Sequence, residues 1–156
     1  MRIWVDADAC PGEIKELLFR AAKRTRTKVT LVANQGLAIP RSEFIDSLIV
    51  PSGMNVADRR IIELAEPGDL VVTADIPLAA GVVAKGASAL DPRGDLYTDA
   101  NIGERLAVRN LLDELRGGGH VGGGPSNFTS RDRQAFANQL DRWLTAAQKV
   151  AKKAAT

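Results

Sequence analysis

The sequence predicts an α/β chain: a Rossmann-like three-layer fold around a mostly parallel central sheet of about five strands. Short β-branched runs alternate with stretches whose apolar residues recur every three or four positions, the pattern of strands joined by crossover helices. Most of the runs are apolar throughout, as strands covered on both faces must be. Proline, glycine, asparagine and aspartate punctuate the junctions.

Taken in order, RIWVD at residues 2–6 is the first strand. Pro11 can open a helix whose Ile14, Leu17, Leu18 and Ala21 share one face. Residues 29–33 and 47–50 form the second and third strands, and Asn55 is placed to cap the helix VADRRIIELA, which Pro67 and Gly68 stop. Residues 70–73 are the fourth strand, and Asp75 caps IPLAAGVVAKG. Residues 87–90 make the fifth strand, and residues 102–115 a further helix with Leu106, Leu111 and Leu115 among its apolar positions. These elements assign residues 1–116 to one α/β domain.

Residues 117–125, GGGHVGGGP, are too rich in glycine to pack and read as a flexible connector. No strand precedes them, so they do not form a dinucleotide fingerprint. In residues 126–156, Thr129 and Asp132 have the spacing of a capping box. Phe136, Leu140, Trp143, Leu144 and Ala147 form an amphipathic stripe that should dock on the same domain, with fraying expected after Val150.

A chain of 156 residues suits one core, and its 45% hydrophobic and 26% charged content is that of a globular protein. No apolar run is long enough to span a bilayer, so no membrane association is expected and a cytoplasmic location is. A single cysteine, Cys10, cannot form an internal disulfide, and with one histidine, His120, no zinc set exists. Net charge is only +2, yet residues 126–156 hold six Lys/Arg against two Asp/Glu. That balance is not the broad positive footprint of a dedicated nucleic-acid binder, though Arg20, Lys23, Arg24, Arg26 and Lys28 form a local basic cluster. The plain account of the cluster is a solvated helix end with cations complementing the dipole. No repeat of 20–50 residues is present.

The chemistry concentrates in acids. In a parallel sheet, ligands bind outside the carboxyl ends of the strands, above all where strand order reverses. Asp6 and Asp8 follow the first strand, Asp75 follows the fourth, and Asp58 lies in the first turn of the helix after the third. Carboxylates gathered this way repel until one protonates or a cation is shared. Mg²⁺ or Mn²⁺ accepts such an all-oxygen set and favours phosphoryl transfer or hydrolysis. Each acid also has a plain role: Asp8 and Asp75 as helix caps, Asp58 as a first-turn acid. Asp6 is the hardest to explain that way, because it ends an apolar strand without an evident partner.

Thr73 can hydrogen-bond a carboxylate or phosphate from the same edge. Asn34, with Gln35, follows the second strand, and Arg59 and Arg60 can hold phosphate or pair with Glu63. Asp91 precedes Pro92, which suits a turn as well as a metal. Cys10 lies beside a helix start, but without a neighbouring histidine a cysteine hydrolase is disfavoured, and Cys10 reads as a small apolar residue near the site.

IWVDADACP, LVANQ, VADRRIIELAEPGDLVVTADIPLA and FTSRDRQAF, in order across nearly the whole chain, closely resemble the bacterial YaiI/YqxD family of uncharacterised proteins. That family looks related to the PIN-like and NYN metal-dependent ribonucleases. The resemblance implies a PIN-like fold and places Asp6, Asp8, Asp58 and Asp75 as catalytic and metal-holding acids for Mg²⁺ or Mn²⁺. RNA is then the expected partner, with Thr73, Asn34 and Arg59 as substrate contacts and the basic cluster or tail adding to the grip. Two alternatives stand beside it. Asp6-Ala-Asp8 also resembles the Asp-x-Asp element of haloacid-dehalogenase phosphatases, with Thr73 and Lys85 imitating later elements; the other is a noncatalytic RNA-binding module. Oligomeric state is left open.

Overall fold

The computed structural model describes residues 1–116 and 127–155. The glycine-rich connector expected at 117–125, with His120, therefore lies outside the described residues. Six strands form one sheet: β1 (Arg2–Asp6), β2 (Lys28–Ala33), β3 (Ile45–Ile49), β4 (Leu70–Val72), β5 (Ser88–Leu90) and β6 (Leu96–Tyr97). Their spatial order is β3-β2-β1-β4-β5-β6; all neighbours are parallel except β5 and β6. The helices are α1 (Gly12–Thr25), α2 (Val56–Leu64), α3 (Ile76–Val83), α4 (Ile102–Arg116) and α5 (Ser130–Ala155), with a 3₁₀ turn at Ala7–Ala9. The expected α/β class and parallel sheet hold, with one strand more than anticipated. A two-residue strand such as β6 leaves no periodicity to read.

Strand alternation divides the core into two layers. Ile3, Val5, Leu31 and Val72 face α1 and α5, meeting Ile14, Leu18, Phe136 and Leu140. Trp4, Val32, Val71 and Ala89 face the other way, meeting Ile61 of α2 and Leu78 and Val82 of α3. Both strand faces are thus buried, which is why these runs are apolar without alternation.

Three local devices set the helix ends. Asp75 accepts a hydrogen bond from the Leu78 backbone N–H at 2.9 Å, the expected N-cap of α3. Thr129 and Asp132 form the expected reciprocal capping box at α5, through Thr129 N–H to the Asp132 carboxylate at 3.0 Å and Asp132 N–H to the Thr129 hydroxyl at 3.2 Å. Asn55 does precede α2, but at φ 63 it occupies the left-handed region and its side chain makes no capping bond. Asparagine is used there because it tolerates that backbone, not for its cap.

Helix α5 is anchored at its start, where the Arg93 guanidinium meets Asp132 at 2.7 Å. It stays helical to Ala155, past the fraying expected after Val150. Phe136, Leu140 and Leu144 are buried in the α1-side core. The β5–β6 turn makes that approach close: Gly94 has φ 100, and a Cβ there would lie 2.8 Å from the Ala135 backbone carbon. Gly94→Ala should therefore cost about 2–3 kcal/mol, from a strained φ and a clash with unyielding backbone. Urea titration checks this, and a loss under about 0.5 kcal/mol would show that the turn and helix separate freely.

The far half of α4 departs from expectation. Leu111 and Leu115, with Val108 and Leu112, are exposed, because the packed face of this helix runs through Ile102 and partly buried Leu106. The periodicity was that of a helix, but the stripe points away from the body.

Candidate functional site

Because β1 is flanked by β2 on one side and β4 on the other, the chain winds outward in both directions from the β1–β4 pair. The crevice outside the ends of these two strands is the topological switch point. Register sets its contents. Ile3, Trp4 and Val5 pair with Leu70, Val71 and Val72, so Asp6 and Thr73 come next, side by side. Alternation turns both toward the layer holding α2 and α3.

The Thr73 hydroxyl donates to Asp6 Oδ2 at 3.0 Å and accepts from the Asp75 N–H at 3.0 Å. One hydroxyl thereby ties the carboxylate ending β1 to the loop after β4. Asp75 is at once the α3 cap and a member of this edge. Asp58 enters from the first turn of α2, which covers the same face of the sheet. Burial pushes its carboxyl above the usual range, and the Asp75 charge and a hydrogen bond between the two carboxyls push the same way.

Asp6 is buried, and its pKa is raised to about 6. Desolvation is the main cause; the Thr73 hydrogen bond opposes it, and the charges of Asp58, Asp75 and Asp8 add to it in that order. Asp58, Asp75 and Asp8 therefore all bear electrostatically on Asp6, and Asp75 on Asp58. Asp8 is the outlier in direction: its Oδ2 accepts the Asn34 N–H at 3.0 Å, bracing the end of β2 rather than capping α1. Asn34 thus contributes its backbone here. Arg59 is exposed in a hollow between α2 and the edge strand β3, with Ile49, Pro51 and Val56. Arg60 pairs with Glu63 at 3.0 Å.

The remaining expectations sort by position. Asp91 holds the β5–β6 turn, accepting the Arg93 N–H at 2.6 Å, and its carboxyl is raised first by burial. Cys10 is buried and its thiol is pushed up to about 12, chiefly by desolvation, so it stays protonated at neutral pH and is no nucleophile. Lys85 donates to the carbonyls of Ile62 and Glu63, at the end of α3 far from Asp75. It has no part in a phosphatase centre built on Asp6. The basic cluster also lies away from the acids. Helix α1 runs back from the end of β1 to the start of β2, so Arg26 and Lys28 sit at the opposite edge of the sheet.

An aspartate that sequence reading passed over proves structural. Asp69, buried just before β4, accepts from Trp4 Nε1, the Arg2 N–H and the Glu66 N–H, each at 3.0 Å. The signal was present: a tryptophan inside an apolar strand needs a partner for its indole N–H.

The donor set is all carboxylate and hydroxyl oxygen, the chemistry a hard divalent cation requires. Among the described residues no group of three or more His, Cys, Asp or Glu stands close enough to enclose an ion. The arrangement suits an ion held by one or two carboxylates with water completing the shell, as Mg²⁺ commonly is.

The profile of the uncharacterised YaiI/YqxD family matches residues 4–146, from the first strand to the last helix. The chain belongs to that family. It is 61% identical over 146 residues to a UPF0178 protein of Alkalilimnicola ehrlichii, covering 94% of this chain and 99% of the relative. It is 58% identical over 151 residues to a UPF0178 protein of Cronobacter sakazakii (97% and 100% covered) and 57% identical over 145 residues to one of Maridesulfovibrio salexigens (93% and 96%). Family membership spans Asp6, Asp8, Asp58, Thr73 and Asp75 alike. No solved structure matches the chain. No helix among the described residues is long and apolar enough to cross a membrane.

Proposed function

We propose that this YaiI/YqxD-family chain is a divalent-metal-dependent nuclease that hydrolyses RNA phosphodiesters, akin to PIN-like and NYN ribonucleases. The observation that carries the reading is the set of mutually repelling acids at the switch point, led by buried Asp6 with its pKa near 6. Structural caps do not explain Asp6, which makes no capping bond and, among the described residues, accepts from the Thr73 hydroxyl. Such raised proton affinity in a cluster of like charges is characteristic of functional sites.

Asp6 and one neighbour of the set, Asp58 or Asp75, would hold Mg²⁺ or Mn²⁺ with water completing the shell, and Asp8 stands at the rim. Once bound, the ion supplies charge neutralisation at the phosphate and lowers the pKa of water. The rest falls to the chain's own groups. Thr73 holds the Asp6 carboxylate through Oδ2, and Asp6, with its raised proton affinity, would serve as the proton acceptor for an attacking water. The α3 cap fixes Asp75, so two carboxylates from distant parts of the sequence keep their spacing.

The test offers single-stranded and structured RNA to the purified chain with Mn²⁺ or Mg²⁺, beside Asp6→Asn and Asp75→Asn. Cleavage should fall at least about 100-fold in each variant. Undiminished cleavage in both would trace the activity to a contaminant. Tight RNA binding by the unmodified chain with no turnover would make it a noncatalytic binding module.

A further inference from the structure

The basic cluster left unused by the acid site lies against a groove. Both α1 and α5 run back from the acid edge: α1 because it follows β1 and precedes β2, α5 because Asp132 at its start is tied to Arg93 just after β5. Their seam is lined by two hollows of about 360 and 450 Å³, and a third of about 550 Å³ lies farther along α5 alone. The two in the seam share Arg24 and Asp141, so they join into one groove. Along α5 the groove extends from Ala137 to Gln148, roughly 17 Å at the rise of a helix.

The floor is apolar, with Leu17, Ala21, Leu140 and Leu144. The walls carry Arg20 and Arg24 against Asp141, Lys149 follows on α5 just beyond the groove, and Lys23 and Arg26 stand exposed on the last turn of α1 and its cap. Arg24 holds Asp141 at 3.0 Å, but their side chains are 63% and 59% exposed. An ion pair so open to water is worth little, and the guanidinium exchanges it readily for a phosphate. Thr145 and Gln148 add neutral donors, the groups that phosphate contacts commonly use.

We propose that this α1–α5 groove is a binding site for the phosphodiester backbone of a nucleic-acid strand, separate from the acids and feeding a strand toward their edge. The choice of RNA as its natural occupant rests on the nuclease reading; the groove's affinity for a polyphosphate chain does not. The length of the groove matches about five steps of a stacked strand at 3.4 Å each. An anionic membrane is the poorer fit, because Phe136, Leu140 and Leu144 are buried in the core and are not available for insertion.

The experiment measures fluorescence anisotropy of a labelled 20-nucleotide single-stranded RNA, in EDTA to prevent cleavage, across a salt series. It compares the unmodified chain, the triple variant Arg20→Gln/Arg24→Gln/Lys149→Gln, and Arg109→Gln on α4, outside both the groove and the acid edge. Glutamine keeps helix propensity, and circular dichroism confirms the fold of the variant. The triple variant should bind at least about tenfold more weakly, with the slope of log affinity against log salt shallower by about 2–3, one for each lost phosphate contact. Arg109→Gln should bind within about twofold of the unmodified chain. An unchanged affinity and slope in the triple variant, or no binding by the unmodified chain, overturns the groove. Loss of binding to phosphatidylglycerol vesicles with RNA binding intact also overturns it, in favour of a lipid surface. Failure of the nuclease reading looks different: no cleavage with Mn²⁺, while the salt-dependent difference between variants persists.

Discussion

Asp69→Ala should lower stability by about 3–5 kcal/mol, because it removes a buried acceptor shared by three N–H donors. The reason is accounting of donors. Three N–H groups, the Trp4 indole and the Arg2 and Glu66 amides, converge on this one carboxylate at 3.0 Å each. Truncation leaves the indole N–H buried beside β4 without an acceptor, at a cost of about 1–3 kcal/mol, and strips the amides of a charge-assisted bond. A melting point lower by roughly 8–15 °C is expected for a chain of this length. Asp69→Asn, retaining one acceptor oxygen, should lose about half as much. A loss below about 1 kcal/mol in urea titrations would mean that water reaches the indole and that the network is not what fixes β1 against β4.

Asp6→Asn should act in the opposite direction. With its pKa raised to about 6 from a usual 3.8, Asp6 holds a proton in the folded chain at pH values where the unfolded chain has released it. The unfolded state then binds fewer protons, so stability declines as pH rises from about 4 to about 6 and stays reduced above it. Asp58 and Asp91, also raised, add to the same slope. The metal-free chain should therefore be less stable at pH 7 than at pH 5, and Asp6→Asn should recover about 1–3 kcal/mol at pH 7 and flatten the decline. The asparagine can still accept the Thr73 bond and brings no charge among Asp58, Asp75 and Asp8. Millimolar Mn²⁺ should raise the melting point of the unmodified chain at pH 7 and do much less for the variant, since ligation rewards the ionised form. Parallel pH profiles for the two chains would remove Asp6 as the site of strain. Gained stability with lost cleavage is the trade expected of an acid kept for chemistry.

How far the residues announced this arrangement varied with the range of the interaction. Runs such as RIWVD and KVTLVA declared buried parallel strands, and the Thr129–Asp132 spacing declared a helix start, because the physics of each is contained in a few neighbours. The four acids could be gathered at one edge because every parallel strand ends there, a rule of topology that needs no distances. Their individual orientations were not legible. Asp8 turns to the Asn34 amide instead of capping α1, and Arg59 faces the outer edge of β3; both depend on how loops cross the strand ends. Asp69 escaped notice because its three donors come from residues separated by up to 67 positions. Leu111 and Leu115 show the converse: helical periodicity fixed their helix but not whether any partner lay opposite.

The placement of β4 beside β1 bears on synthesis. Strands β1, β2 and β3 leave the ribosome first and can pair among themselves, but the flank of β1 that will receive Leu70, Val71 and Val72 stays open until those residues emerge. During that interval the nascent chain exposes an apolar, hydrogen-bond-hungry border well suited to pairing with another ribosome's product. Late closure also means that Thr73 and Asp6 meet only once β4 has paired with β1, with β5 and β6 still to be added.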